Sequence, residues 1–202
     1  MRYQTTTSGR IAPSGARRPA LPARQAGVTL VELLTVSVLV AILLAIGMPS
    51  YRYVTTNNRM ASESDALLGD LQFARAEAIR EGQQVSVCVS KTGTSCDSAT
   101  SPPAWQEGWI IYTDPNNVTT VDANDPLVRA DTGFSSNGDT FQSSINTIYQ
   151  INFSGNGFAN LGVASMMIKL HDPTGSSQYT RCILITQAGM MSVVTTTTTG
   201  CS

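Results

Sequence analysis

Between Gly27 and Pro49 the chain reads GVTLVELLTVSVLVAILLAIGMP, and the stretch from Val28 to Met48 holds a single charge, Glu32. As a helix rising ~1.5 Å per residue this stretch would be about 30 Å long, the thickness of a bilayer's hydrocarbon core. Such a segment must be covered by lipid or by other apolar helices, and the rest of the chain has to be arranged around that requirement. Upstream lie Arg2, Arg10, Arg17, Arg18 and Arg24 and no acidic residue. The charge bias therefore leaves the N-terminal side in the cytoplasm and everything after Pro49 beyond the membrane. A secretory signal peptide fits poorly, because its apolar core is about 7–15 residues long and an A-x-A-like cut site follows it. A plain anchor has no use for Glu32, since an isolated carboxylate in hydrocarbon costs roughly several kcal/mol unless it is paired or protonated.

The residues that open this segment carry a resemblance. Gly27-Val28-Thr29-Leu30-Val31-Glu32 resembles the class III signal of type IV pilins and type II secretion pseudopilins, a small residue followed by F-T-L-x-E. The resemblance implies that a prepilin peptidase cuts between Gly27 and Val28 and that Val28 is then N-methylated. It makes Glu32 the assembly glutamate and Pro49 the site of a helix kink. Two features depart from the pattern: Val28 stands where phenylalanine is usual, and the leader, residues 1–27, is long for the family. The leader's Pro, Arg and Thr content supports no packed structure.

With the leader removed, eight Lys and Arg remain against fourteen Asp and Glu, a net −6; beyond Gly82 four basic residues face eight acidic ones, a net −4. Overall charge will therefore not draw the C-terminal part to polyanions, because nucleic-acid binding needs cations to displace counterions from phosphates. Lys91, Arg129, Lys169 and Arg181 are the only residues there from which a basic patch could be built. Cys88, Cys96, Cys182 and Cys201, an even number beyond the membrane, read as disulfides. Three connectivities are open. The short loops Cys88–Cys96 and Cys182–Cys201 are preferred because each closes a turn-rich segment between strand-like ends. A structural zinc site is disfavoured by the lack of a C-x-x-C pair and by a single histidine, His171.

From Val28 the helix is expected to run to about Glu81, its membrane half being residues 28–48 and its amphipathic continuation residues 49–81. Pro49 removes one backbone hydrogen bond and marks a kink. Met60, Ser64, Leu67, Leu71, Ala74 and Ala78 recur at steps of three and four, an apolar stripe, with Arg75, Glu77, Arg80 and Glu81 on other faces. Gly82 is a natural stop. Residues 82–202 read as a β-rich head. Val85, Val87 and Val89 alternate with Ser86, Cys88 and Ser90, the pattern of a half-buried strand. Further strand candidates are Trp109–Tyr112, Leu127–Arg129, Ile145–Phe153, Met166–Leu170, Cys182–Thr186 and Met190–Val194, with Thr195–Thr199 β-compatible or loose. One long helix packed by its stripe on an antiparallel sheet is an α+β arrangement, and the resemblance implies the type IV pilin-like fold.

The head narrows the resemblance. Gly82-Gln83 after the helix, a Val85-x-Val87-Cys88 strand, a second cysteine, and then Trp105-x-x-Gly108-Trp109-Ile110-Ile111-Tyr112-x-Asp114 are similar to the GspH/FimT family of minor pilins and pseudopilins. Phe153-x-x-x-Gly157 and the strand-to-turn segment Ile183–Gly189 fall where that family has a late strand and a terminal hairpin.

Little in the sequence suggests catalysis. No G-x-S-x-G, phosphate loop or metal-spaced cluster occurs. His171, beside Asp172-Pro173, reads as a solvated loop histidine. The acidic residues of Asp114–Asp131 lack the EF-hand pattern and read as a solvated loop rather than a calcium site. Asn117-Val118-Thr119 fits a glycosylation acceptor, a short and weak motif. No enzyme activity and no cofactor are expected. The resemblance implies a structural subunit for pilus assembly in a priming or tip complex. Its partners would be the prepilin peptidase, other minor and major pilins, the inner-membrane assembly platform and the inner membrane itself. Two alternatives are a type II secretion pseudopilin and a DNA-binding minor pilin for natural transformation. Family members that bind DNA carry a C-terminal G-R-x-R-like motif, whereas this chain reads Gly189-Met190-Met191-Ser192, without either arginine. DNA is thus the less favoured partner.

Overall fold

In the structure, a computed structural model that describes residues 27–97, 102–116, 121–122, 125–134, 138–195 and 200–201, helix α1 spans Leu30–Glu81. Residues 1–26 of the expected leader, Asn117-Val118-Thr119 and the threonines at 196–199 lie outside the described residues. The helix starts two residues later than expected, and the reason is a cap. Thr29 Oγ1 accepts the N–H of Glu32 at 3.2 Å, and Thr29 O accepts that of Leu33 at 3.1 Å, so Thr29 is the N-cap. Gly82, at φ +67°, closes the other end and gives its N–H to Ala78 O at 2.9 Å.

The chain divides into two units, residues 1–45 and 46–202. In the first, every described residue is exposed. The hydroxyls of Thr35 and Ser37 bond back to the carbonyls of Glu32 and Leu34 (2.9 and 2.8 Å), which hides polar groups inside an apolar helix.

In the second unit two antiparallel sheets pack with α1. The first holds β1 (Gln84–Val89), β2 (Trp109–Asp114), β3 (Leu127–Asp131), β5 (Gln150–Phe153) and β6 (Ala159–Asn160), in the order β3-β2-β1-β5-β6. The second holds β4 (Thr140–Ser143), β7 (Ser165–His171), β8 (Arg181–Thr186) and β9 (Met191–Thr195), in the order β4-β7-β8-β9. Met60, Leu67, Leu71, Ala74 and Ala78 of α1 join one core with Val85, Val87, Trp109, Ile151 and Phe153 from the first sheet and Phe141, Ile168 and Ile183 from the second. At about 25 cal/mol per Å² of apolar surface buried, this shared core is the main term holding the sheets to the helix.

Several expectations give way here. A single sheet was anticipated and the described residues form two. The strand expected over Ile145–Phe153 is only Gln150–Phe153, because Ile145 accepts the N–H of Ile148 in a turn. β4 and β6 were not foreseen; at four and two residues they are too short to show a period. β1 is not half-buried. Its alternate residues Ser86 and Cys88, and Ser90 just after it, are as enclosed as its valines, because β1 lies between β2 and β5 with a second small core on its other face. That core is Cys88, Ile110 and Tyr112, covered by Cys96 and Val121.

Candidate functional site

The motif segment comes first in the chain. Gly27, Val28 and Thr29 precede the helix and are exposed, so the Gly27–Val28 peptide bond lies outside hydrogen-bonded secondary structure. Thr29-Leu30-Val31-Glu32 places a threonine at the N-cap and a glutamate three residues on, the spacing of a capping box. Sequence reasoning took the glutamate from the motif and missed the threonine's part in starting the helix, though the T-x-x-E spacing was there to be read. Glu32 sits among exposed apolar side chains: Leu30, Val31, Leu33, Leu34 and Val36 are each more than half exposed. Pro49 lies inside α1, where it has no N–H for the carbonyl four residues back.

Around the head a set of polar contacts fixes the register of α1 against the sheets. The indole N–H of Trp109 donates to Asp70 Oδ2 at 2.8 Å, and Arg129 Nη1 meets Asp70 Oδ1 at 2.7 Å. Arg59 pairs with Asp139 at 2.9 Å and stands 3.9 Å from Glu63. Arg181 Nη2 donates to Asn57 Oδ1 at 2.6 Å, and Arg75 Nε to Gly157 O at 2.9 Å. Burial, and then the nearby Asp139 charge, push the Glu63 carboxyl up to about 7 against the pull of Arg59. None of these buried acids belongs to the apolar stripe, and residue spacing alone did not single them out. Arg75 was placed on an outer face, yet it reaches across to the turn after β5.

The Trp105-x-x-Gly108-Trp109 string has a structural basis. Trp105 and Trp109 are both fully buried, and Gly108 adopts φ +127° where a Cβ would stand 2.6 Å from Asp131 O. Only glycine fits. Tyr112 OH accepts the Gln150 amide N–H at 2.9 Å, and burial raises its phenol to about 12.

The disulfides are Cys88–Cys96 and Cys182–Cys201, with Cα atoms 5.6 and 5.9 Å apart. The first pins the loop after β1 over the small core; the second ties the C-terminal end to β8. His171 is not a loop residue: it lies in β7 opposite Thr140, half-buried, with Nδ1 3.1 Å from Thr180 Oγ1, and burial lowers its affinity for a proton. Nor is the Asp114–Asp131 stretch uniformly solvated. Asp114 is fully buried and accepts the Gln84 amide at 2.7 Å, while Asp125 is buried and its carboxyl is raised, first by that burial. Among the described residues no group of His, Cys, Asp or Glu is arranged to hold a metal ion.

A helix that carries a methylation-type motif at its start and packs its second half on antiparallel sheets defines the pilin class of proteins. Comparisons with known proteins agree. The family described as Type II transport protein GspH matches residues 63–189, and the prokaryotic N-terminal methylation motif matches residues 22–48. The chain belongs to the GspH family. Among solved structures it is similar to the type IV minor pilin FimU of Pseudomonas aeruginosa in two crystal forms. One has a TM-score of 0.56 at 20% identity, with 72% of this chain and 95% of the other covered. The second has a TM-score of 0.52 at 20% identity, with 68% and 94% covered. At that identity the likeness shows the fold alone. No curated protein matches.

Proposed function

We propose that this protein is a minor type IV pilin, a structural subunit that primes or caps pilus assembly. In this reading a prepilin peptidase cuts between Gly27 and Val28 and methylates Val28. The mature chain waits in the inner membrane as a single-pass protein with its head in the periplasm, and it then joins other minor and major pilins at the assembly platform. Residues 28–48 form the membrane or filament-core helix, residues 49–81 its amphipathic continuation, kinked at Pro49, and residues 82–202 the head. The protein works by packing and catalyses nothing.

The observation that carries this reading is Glu32, the one charge in the apolar stretch, on a helix start whose described neighbours are all exposed. A carboxylate stranded in apolar surroundings is offset when assembly brings it a cation. Cleavage after Gly27 makes such a cation, the ammonium of Val28, so processing creates the group that a neighbouring subunit's Glu32 pairs with.

The matching family's description favours a second reading, a pseudopilin of a type II secretion machine. DNA capture is less supported. The turn at Gln187–Met190 holds no basic side chain of its own, and Arg75 beside it is a single cation. One clean deletion strain tests all three readings by counting surface pili, scoring uptake of labelled DNA and assaying secreted proteins. Loss of pili restored by the wild-type gene is expected. Normal pili with lost uptake would overturn the assembly role in favour of DNA binding, and normal pili with lost secretion would establish the pseudopilin.

A further inference from the structure

A β-sheet edge exposes unpaired N–H and C=O groups, and natural proteins blunt such edges with charges, bulges, shortness or cover. Three of the four sheet edges here are treated in this way. β3 carries Arg129 and Asp131, and its pairing shifts register between Ile111 and Tyr112. β6 is two residues long. β4 is covered by the bridge from Ala104 to Gln142 and by the Gln106 side chain, which accepts the Phe141 N–H at 3.0 Å.

Among the described residues, β9 shows no such device from Met191 to Val194. Met191-Ser192-Val193-Val194-Thr195 pairs with β8 in unbroken register, and no charge or proline occurs from Cys182 to Ser202. The hydrogen bond from Thr186 N–H to Met190 O (3.0 Å) sets the alternation. Ser192 and Val194 turn their backbone groups toward β8, whereas Met191 and Val193 turn theirs to the open side. The C-terminal end does not cover that side at its described residues: Cys201 is bonded to Cys182, and Gly200 lies against Met167 of β7.

Beside the start of β9 runs an open groove lined by Gln72 and Arg75 of α1, by Leu184 and Thr186 of β8, and by residues 189–192. Among the described residues Arg75 is the only charge in its lining. Its guanidinium spends Nε on Gly157 O and reaches Ala188 O only at 3.5 Å from Nη2, which leaves donors directed elsewhere.

We propose that the edge of β9 at Met191–Val194 is a docking site for an extended strand of another pilin-like chain, paired antiparallel and carrying a carboxylate near its C-terminal end, opposite Arg75. Strand addition satisfies the outward groups of Met191 and Val193, and the carboxylate answers the one cation of the groove. A second copy of β9 supplies the strand but not the carboxylate, because its own segment is uncharged. The inference rests on the minor-pilin reading above and names the surface by which the head would engage its neighbour.

The test uses the full chain in detergent micelles and the hexapeptide Val-Thr-Val-Thr-Val-Asp. Amide hydrogen exchange at Met191 and Val193 should be fast in the chain alone and slow by about tenfold or more with peptide. A peptide N-methylated at alternate amides should give no protection, and one ending in Lys should bind about tenfold more weakly. Val193→Pro, which removes an N–H that β8 does not use, should abolish protection at Met191 and lower the unfolding midpoint, because Val193 packs against the core; Ser192→Lys, at an exposed position, should weaken protection with the midpoint unchanged. Slow exchange in the monomeric chain alone, no slowing with peptide, or protection that grows with the chain's own concentration alongside a dimer mass would each overturn the proposal. In cells the two readings separate. If the deletion strain keeps its pili the minor-pilin reading fails, whereas if it loses them and Val193→Pro restores them fully only the β9 proposal fails.

Discussion

The indole N–H of Trp109 and the carboxylate of Asp70 meet at 2.8 Å inside the head, and the second Asp70 oxygen meets Arg129 at 2.7 Å. One side chain of α1 thus holds the start of β2 and an edge strand at once. Both Trp109 and Asp70 are buried, so neither group can turn to water when the other is lost.

Asp70→Ala should therefore cost about 2–4 kcal/mol, since it leaves a buried indole N–H unsatisfied and removes the partner of Arg129. Asp70→Asn keeps an acceptor for the indole and should cost about 1 kcal/mol. Urea unfolding followed by tryptophan fluorescence measures both. Equal costs for the two variants would show that the Arg129 ion pair, rather than the indole bond, dominates.

The stripe Met60, Leu67, Leu71, Ala74 and Ala78 was legible because apolar residues at steps of three and four have one physical explanation, and each is buried. The Trp-Gly-Trp string was legible as a family resemblance, and its physical basis, two buried rings and a glycine that the backbone requires, came from the structure. Asp70, Glu63 and Asp139 were not legible, because a charged residue on a helix or in a loop looks solvated until its partner, far away in sequence, is placed beside it. Arg59 and Asp139 are eighty positions apart. His171 was misplaced for a related reason: the Asp-Pro that follows it marks a turn, but the turn begins only after the strand has ended. There Asp172 accepts the N–H groups of Thr174 and Ser176 at 3.2 and 3.1 Å. The burial of both faces of β1 depends on a disulfide-pinned loop and on its central place in the sheet, neither of which a strand's own alternation records.

The Glu63 site gives the head a pH dependence of definite sign. Its carboxyl titrates at about 7 in the fold against 4.5 for the free group, so the folded state holds the proton more tightly than the unfolded chain does. Stability from this group is fully present below about pH 4.5 and is lost as pH rises through about 7. Between about pH 5 and pH 8 the loss should be on the order of 1–2 kcal/mol. Glu63→Gln should flatten the profile of Tm against pH in that window. A slope unchanged in the variant would assign it to another group.

The Cys182–Cys201 bond closes a loop with a sequence separation of 19 and ties the chain's end to β8. Loop-closure entropy puts its contribution at about 3 kcal/mol, somewhat above that of the Cys88–Cys96 loop, whose separation is 8. The paired change of Cys182 and Cys201 to Ser should lower the unfolding free energy by that amount and speed amide exchange first in β9. If exchange quickened evenly across both sheets, the bond would be acting on the whole head and not on its edge.

Thr29 caps the helix through its side chain and Glu32 stands three residues on, which makes it possible to separate the start of the helix from the assembly role proposed for the charge. Thr29→Ala removes the oxygen that accepts the Glu32 N–H and should cost the helix start about 1 kcal/mol while leaving the carboxylate in place. Glu32→Gln keeps a side chain able to serve at the third helical position and removes only the charge. If Glu32 works by pairing with the ammonium at Val28 of a neighbour, the amount of this chain in sheared surface filaments should fall by tenfold or more in Glu32→Gln, about 1.4 kcal/mol, and by less than about threefold in Thr29→Ala. Immunoblots of sheared filaments against whole-cell levels read the ratio. The opposite ranking would mean that the motif's glutamate serves the helix cap, and the cation made by cleavage would then have no partner there.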